Sequence, residues 1–451
     1  MYDVVIKNGL VILPEKTIKA DIAIKNGKIS VIAAQIEPGA AAVIDAGGDY
    51  LFPGVIDAHV HFNEPGRENW EGFATGSFMM AAGGCTAFFD MPLNGIPSTV
   101  TKEALLQKAV IAAEKSAVDF GLWGGLVPGN IDRLASLADS GVVAFKAFMS
   151  TSGNEEFAAC DDRTLVAGMH EIARAGRILA LHAESNPLIE FLTAQKLKKQ
   201  QFSADDYAAS RPVIAEAEAV ERAISFAKLT GCPLHFVHIS SALAVEKILA
   251  VKQQGQDVTL ETCPHYLLFS HDDLRAKQAL AKCAPPLREK AEQEKLIRLL
   301  KEDAFDMITS DHSPCPYAMK TSNNLFEVWG GINGGQFTLL SMIEISLKHG
   351  IPFEKIARLT ASAPAKRFGL ANRKGKIAIG FDADLTIVST KETHTVTEAN
   401  FFAKHKKSLY THHVFPCKVR YTFNRGHKVY QEGMLTAGTF RGEWLKPGEN
   451  A

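Results

Sequence analysis

Eight short apolar runs, separated by stretches with helical periodicity, constrain the fold of this chain more than any other feature. They read GVIDAHVHF, CTAFFDMP, VDFGLWGGL, VVAFKAFMS, RILALHAES, PLHFVHIS, DVTLETCPH and FDMITSDHSP. Short apolar runs that alternate with longer helical segments are the pattern of a parallel α/β domain. Between them, segments such as TKEALLQKAVIAAEKSA and AEAEAVERAISFAKLTG place apolar residues three and four apart, which suits helices packed on a sheet. Eight such alternations predict an α/β fold of the (β/α)₈ barrel type. An open doubly wound sheet uses the same elements, but it normally carries a glycine-rich phosphate loop after its first strand, and GVIDAHVHF leads into no G-x-G-x-x-G.

The two ends of the chain have a different texture. DVVIKNGLVIL and ADIAIKNGKISVIAA near the start are β-rich and contain Asn-Gly pairs, a strong hairpin signal. GKIAIGFDADLTIVST and CKVRYTFNRGHKVYQEGML repeat that texture near the other end. Neither stretch is long enough to bury a core alone. Residues 1–50 and 373–451, the latter with a C-terminal tail, are therefore expected to pair into one small β-sandwich domain beside a catalytic barrel of residues 51–372.

Charge and cysteine usage exclude several classes of function. Forty-nine basic against fifty acidic residues give a net charge of −1, with no long basic run, so neither nucleic acid nor an anionic membrane is expected as a partner. No stretch is apolar enough to span a bilayer, and the start MYDVVIKNGLVILPEK lacks the plan of an export signal. The seven cysteines are odd in number, scattered and without a C-x-x-C pair, so free thiols in a reducing cytoplasm are expected.

In barrel enzymes the reacting groups stand where strands run out at their carboxyl ends. His59 and His61 close the first run, and the period of two along a strand puts both imidazoles on one face. On its own this H-x-H reads equally well as a pair of hydrogen-bonded core histidines. Lys146 lies among Val143, Phe145 and Phe148, where an ammonium costs several kcal/mol unless it is paired or its stem snorkels. Burial also lowers its pKa, which frees the amine to capture CO₂ as a carbamate with two hard oxygens. His182 and His238 end two further runs and Asp311 closes the last. Each alone has a structural reading, as core histidines or a helix N-cap. Together, four histidines, a buried lysine and an aspartate at strand ends point to a metal centre. His312 and Ser313 adjoin Asp311, either to orient it or to hydrogen-bond their own loop.

The order H-x-H, Lys, His, His, Asp resembles the cyclic amidohydrolases of the amidohydrolase superfamily, which include dihydroorotases, hydantoinases (dihydropyrimidinases) and allantoinases. FPGVIDAHVHF, HAES, HISS, CPHYL, PPLR, SDHSP and GFDADLTIV extend the resemblance over essentially the whole chain. It implies two divalent cations per subunit, zinc first and cobalt, manganese, nickel or iron as alternatives. His59, His61 and Asp311 would hold the more buried ion, His182 and His238 the more exposed one, and carbamylated Lys146 (N6-carboxylysine) both. Such a centre supplies activated water and a Lewis acid, with Asp311 moving the proton to the leaving ring nitrogen. The resemblance also implies a homo-oligomer, with a tetramer as the family-based guess.

Departures from two subfamilies narrow the substrate. Dihydroorotases resemble H-x-H-x-R at the first strand, whereas this chain reads HVHFN, with Asn63 in the arginine's place. A carboxylate guest would lose its bidentate partner there, and a neutral ureido side chain fits better. Hydantoinases usually lack a segment like EPGRENWEGF, while that segment, DMPLN, KCAPPLR, SDHSPCP and VWGGINGG are similar to allantoinases. Allantoin is therefore the first-ranked small-molecule substrate. The same resemblance offers Asn63 and Asn94 as substrate-facing residues, with backbone groups near Ala284 and at Trp329, Gly330 and Gly331 for the ring amides. Asn94 also suits a turn after Pro92, the glycines a hinge, and Trp329 the core. A non-enzymatic scaffold of the same fold would lack metal ligands, and here all six positions are filled.

Overall fold

The computed structural model describes residues 1–37, 39–436 and 441–448; the remainder of the expected second β segment, residues 437–440 and 449–451, lies outside the described residues. Five strands open the chain: β1 (Tyr2–Ile12), β2 (Thr17–Lys25), β3 (Lys28–Ala33), β4 (Ala40–Asp45) and β5 (Tyr50–Pro53). Of the two Asn-Gly pairs here, only Asn26-Gly27 makes the tight turn, with both residues left-handed at φ 52° and 75°. The other, Asn8-Gly9, sits inside β1, where the register against β2 shifts between Ile6 and Gly9. Its pairing partners are close packed, since a Cβ at Gly9 would stand 2.6 Å from a Leu51 methyl.

The barrel is built from parallel strands in chain order: β6 (Val55–Val60), β7 (Cys85–Asp90), β8 (Asp119–Leu122), β9 (Gly124–Gly125), β10 (Phe145–Phe148), β11 (Leu179–His182), β12 (Leu234–Phe236), β13 (Val258–Thr262) and β14 (Met307–Ile308). β8 and β9 are two halves of one strand on either side of Trp123, whose fully buried indole donates to the Ala58 carbonyl at 3.0 Å. Beyond β14 the chain bridges Val60 through His312, and the His61 N–H donates to the His312 carbonyl at 2.8 Å, which closes the ring at eight strands. Every residue of β6, β7, β10 and β11 is buried, as uninterrupted apolar runs require. Outer helices form over Lys102–Lys115, capped by the Thr101 hydroxyl, and over Val213–Thr230, closed by left-handed Gly231.

After the barrel come β15 (Leu385–Ser389), the short pair β16 (His394–Thr395) and β17 (Val414–Phe415), then β18 (Lys418–Asn424), β19 (His427–Gln431) and β20 (Met434–Leu435). β15 runs antiparallel to β5, so both chain ends share one nine-stranded sheet in the order β20-β19-β18-β15-β5-β1-β2-β3, with β4 beside β1. Ile6, Val11, Ile22, Leu51, Leu385, Ile387 and Phe423 form its core. No described helix is long and apolar enough to cross a membrane.

A buried ion cluster fastens sheet to barrel. The fully buried Lys374 ammonium contacts Asp119 at 2.6 Å, Asp384 at 2.8 Å and Asp382 at 3.0 Å, joining the start of β8 to the approach of β15. Lys374→Met is expected to destabilise the fold by about 3–5 kcal/mol, because it strands buried carboxylates. Urea unfolding measures this, and a loss under about 1 kcal/mol would show those carboxylates to be solvated instead.

Candidate active site

The six sequence-predicted chemical residues lie at the carboxyl end of the barrel, but not all on strands. His59 is on β6, Lys146 on β10 and His182 at the end of β11, whereas His61, His238 and Asp311 follow their strands. His238 and Asp311 take left-handed backbone angles, φ 39° and 46°. Non-glycine residues in that region carry about 1–3 kcal/mol of strain, which persists where the surroundings fix the turn. Here those turns aim the side chains inward, and no helix begins at Asp311, which removes the N-cap reading.

His59 Nε2 and His61 Nε2 stand 3.2 and 3.3 Å from the same Asp311 oxygen, Oδ1. One ligand atom from each of the three fits within 4.8 Å, a candidate site for a metal ion. His182 Nδ1 faces His238 Nε2 at 3.0 Å, and the His238 ring lies 5.5 Å from that of His59, so the two groups are contiguous. Burial lowers the pKa of His61, His182 and His238, most strongly His238, and leaves neutral imidazoles with a lone pair to give. Burial raises the Asp311 carboxyl, but His59 and His61 outweigh it and hold the group below the ordinary carboxylate range.

Lys146 is wholly buried, its Nζ makes no hydrogen bond, and it sits 5.1 Å from the Phe148 ring centroid. Burial pulls its pKa down to about 7, with only partial opposition from Glu261 and Asp311. An orphaned amine between a carboxylate and imidazoles is costly as it stands. It becomes favourable if the nitrogen carries a carboxyl group whose oxygens meet cations. On this ground, and on the convergent neutral imidazoles, the residues fit divalent metal ions.

Supporting groups missed in the sequence lie just behind. Glu261, in the middle of DVTLETCPH on β13, accepts from His59 Nδ1 at 2.6 Å and from His235 Nε2 at 3.0 Å. Glu184, two residues after His182, bonds its Nε2 at 2.8 Å and pairs with Arg211. Each carboxylate fixes which imidazole nitrogen faces the site, Nε2 for His59 and Nδ1 for His182. A glutamate inside an otherwise apolar strand run was the signal available for Glu261. Glu261→Gln is expected to weaken metal retention and turnover by about 10–100-fold. Dialysis against a graded chelator followed by metal analysis checks it, and wild-type retention would exclude the orienting role.

A cavity of about 670 Å³ opens over the imidazoles and Asp311, and Asn94, Ala284, Trp329, Gly330 and Gly331 line it. Asn94 is a left-handed turn residue and a cavity residue at once. Trp329 packs edge-on against Trp70 at 4.8 Å. At Gly331 a Cβ would stand 2.3 Å from the Ser313 carbonyl oxygen, so close approach demands glycine there. Asn63 is not among the lining residues; it is buried, and its amide donates to the Pro314 carbonyl at 3.4 Å. His312 turns away from Asp311, with Nδ1 accepting from the Gly335 N–H at 3.3 Å and Nε2 facing Glu71 at 3.5 Å. The Ser313 N–H donates to Ile332. His312 thus backs its loop, while Ser313 lines the cavity beside Asp311.

The sequence pattern of the amidohydrolase family matches residues 50–415. The chain belongs to the amidohydrolase family. Members generally use a binuclear metal centre, and His59, His61 and Asp311 form a candidate site for one ion of such a pair. Among relatives, the chain is 55% identical over 448 residues to an allantoinase of Bacillus velezensis, covering 99% of this chain and 98% of that one. It is 47% identical over 451 residues to an allantoinase of Solibacter usitatus, covering 100% and 98%. Among solved amidohydrolase folds, the L-hydantoinase (dihydropyrimidinase) from Arthrobacter aurescens superposes with a TM-score of 0.96 at 32% identity, covering 99% of this chain and 100% of that one. These likenesses establish the barrel with its β-sandwich companion.

Proposed function

We propose that this amidohydrolase opens the hydantoin ring of allantoin to give allantoate, a step of purine and ureide catabolism. The observation that carries the metal chemistry is the orphaned, fully buried amine of Lys146 beside the imidazoles and carboxylates. The choice of allantoin is supported by the two allantoinase relatives at 55% and 47% identity, above the 32% of the hydantoinase.

In this reading His59, His61 and Asp311 would hold one divalent cation and His182 and His238 the other, with zinc favoured over cobalt, manganese, nickel and iron. The uncharged fraction of Lys146, made available by burial, attacks CO₂; an N–C bond forms, the amine proton leaves to solvent, and the resulting carbamate would help to hold both cations. When bound, these ions supply a Lewis acid and water ready to react near neutral pH. The chain's own groups do the rest. Asp311 accepts a proton at its carboxylate and delivers it to the departing ring nitrogen, so that no amide anion need be expelled. Backbone groups near Ala284 and at 329–331 hold the ring amides, Asn94 faces the guest, and Asn63 braces the Pro314 turn behind Asp311.

Side-by-side hydrolysis of allantoin, 5-substituted hydantoins and dihydroorotate on metal-loaded enzyme tests the reading. Allantoin is expected to turn over fastest; faster opening of dihydroorotate or of a plain hydantoin would reassign the substrate. We extend the reading to a cytoplasmic homotetramer. All seven cysteines are buried and unpaired, which suits a reducing compartment, and light scattering checks the subunit count.

A further inference from the structure

Residues 316–331 pass over the cavity and contribute Met319, Val328, Trp329, Gly330 and Gly331 to its lining. Two lysines tie this segment down in different ways. Lys320 Nζ donates to the carbonyls of Ala279 at 2.9 Å, Trp329 at 3.1 Å and Gly331 at 2.8 Å, which uses all three donors of an ammonium. Lys282 Nζ donates once, to the Val328 carbonyl at 2.6 Å, while its own carbonyl accepts from the Gly331 N–H at 2.8 Å. Lys282 therefore has two donors to spare as an ammonium and one as a neutral amine.

Lys282 is 6% exposed, lines the cavity, and stands 4.8 Å from the Tyr207 ring centroid. Arg211, which lines the same cavity, is neutralised by Glu184, but among the described residues no carboxylate acts on Lys282. Burial, reinforced by Arg211 and Lys320, lowers its pKa to about 7. Near neutrality much of it is an uncharged amine, which still donates N–H but offers a carboxylate no firm counter-charge. A neutral carbonyl acceptor suits both of its forms.

We propose that Lys282 is a specificity-determining residue whose spare N–H donors hold the side-chain carbonyl of a ureido-bearing ring, whereas Lys320 only positions the loop. This rests on the reading of the chain as a cyclic-amide hydrolase. A site built to hydrogen-bond a substrate group discriminates against analogues without it, because its buried donors are then left unpaired.

The test is KM and kcat for allantoin and for unsubstituted hydantoin, which has no side chain, in wild type, Lys282→Met and Lys320→Met. Lys282→Met is expected to raise KM for allantoin roughly tenfold or more, with kcat and metal content nearly unchanged and KM for hydantoin moved by less than about threefold. Lys320→Met is expected to raise both KM values alike. Equal changes on both substrates in Lys282→Met, or none, would overturn the proposal. If that variant does not fold, Lys282→Gln, which keeps N–H donors, must retain the wild-type preference for allantoin, and loss of the preference would count against the assignment. Wild type inactive on both rings would instead overturn the functional reading beneath it.

Discussion

Lys146→Ala is expected to lower kcat for allantoin by a factor on the order of 10³ or more, and purified variant is expected to retain less metal per chain. The cause is local. Lys146 is the described residue on β10 that reaches both groups of ligands, since its charge acts on His182 and His238 as well as on Asp311 and Glu261. Alanine leaves a gap shaped for a small carboxylate, so acetate or propionate in the assay is expected to return part of the activity. The fold should survive, because β10 is held by backbone pairing with β11 and by Phe145 and Ala147 in the core. Unchanged turnover with full metal content would remove the bridge from the mechanism.

Asp311→Asn is expected to reduce kcat by about 10²–10⁴-fold with much less change in KM. The amide is nearly isosteric, so the left-handed turn and the nearby His59 and His61 stay in place. What is lost is a proton acceptor and one anionic ligand atom. Steady-state kinetics with metal analysis separates the two: full metal with low kcat marks the proton role, and metal loss marks the ligand role. A variant within tenfold of wild type in kcat would leave Asp311 with neither.

Much of the barrel was legible because burial on both faces writes itself as uninterrupted apolar runs, and the turns that end them collect polar residues. The run ending in His182 coincides with β11. Those ending in His238 and Asp311 overshoot, because β12 and β14 stop at Phe236 and Ile308 and the left-handed turns that follow leave no mark on hydrophobicity. Asn8-Gly9 misleads in the opposite direction, since the dipeptide favours left-handed backbone in a bulge as readily as in a hairpin. Ligand residues stood out because histidine or lysine in an apolar run needs a reason. Glu261 was overlooked for want of a partner visible in one dimension, since His59 lies 202 residues away, whereas Glu184 stands only two residues after its partner His182. Asn63 and His312 illustrate the converse. Their positions beside ligands suggested substrate or Asp311 contacts, yet their side chains serve Pro314 and the Gly335 and Glu71 backing.

The most direct test is to strip the enzyme of metal and add back zinc in CO₂-free buffer and in buffer with bicarbonate. Tightly bound zinc per chain should rise to two only with bicarbonate present, and activity should follow it. Equal zinc uptake and activity in the two buffers would contradict a cation pair assembled on a CO₂-modified Lys146.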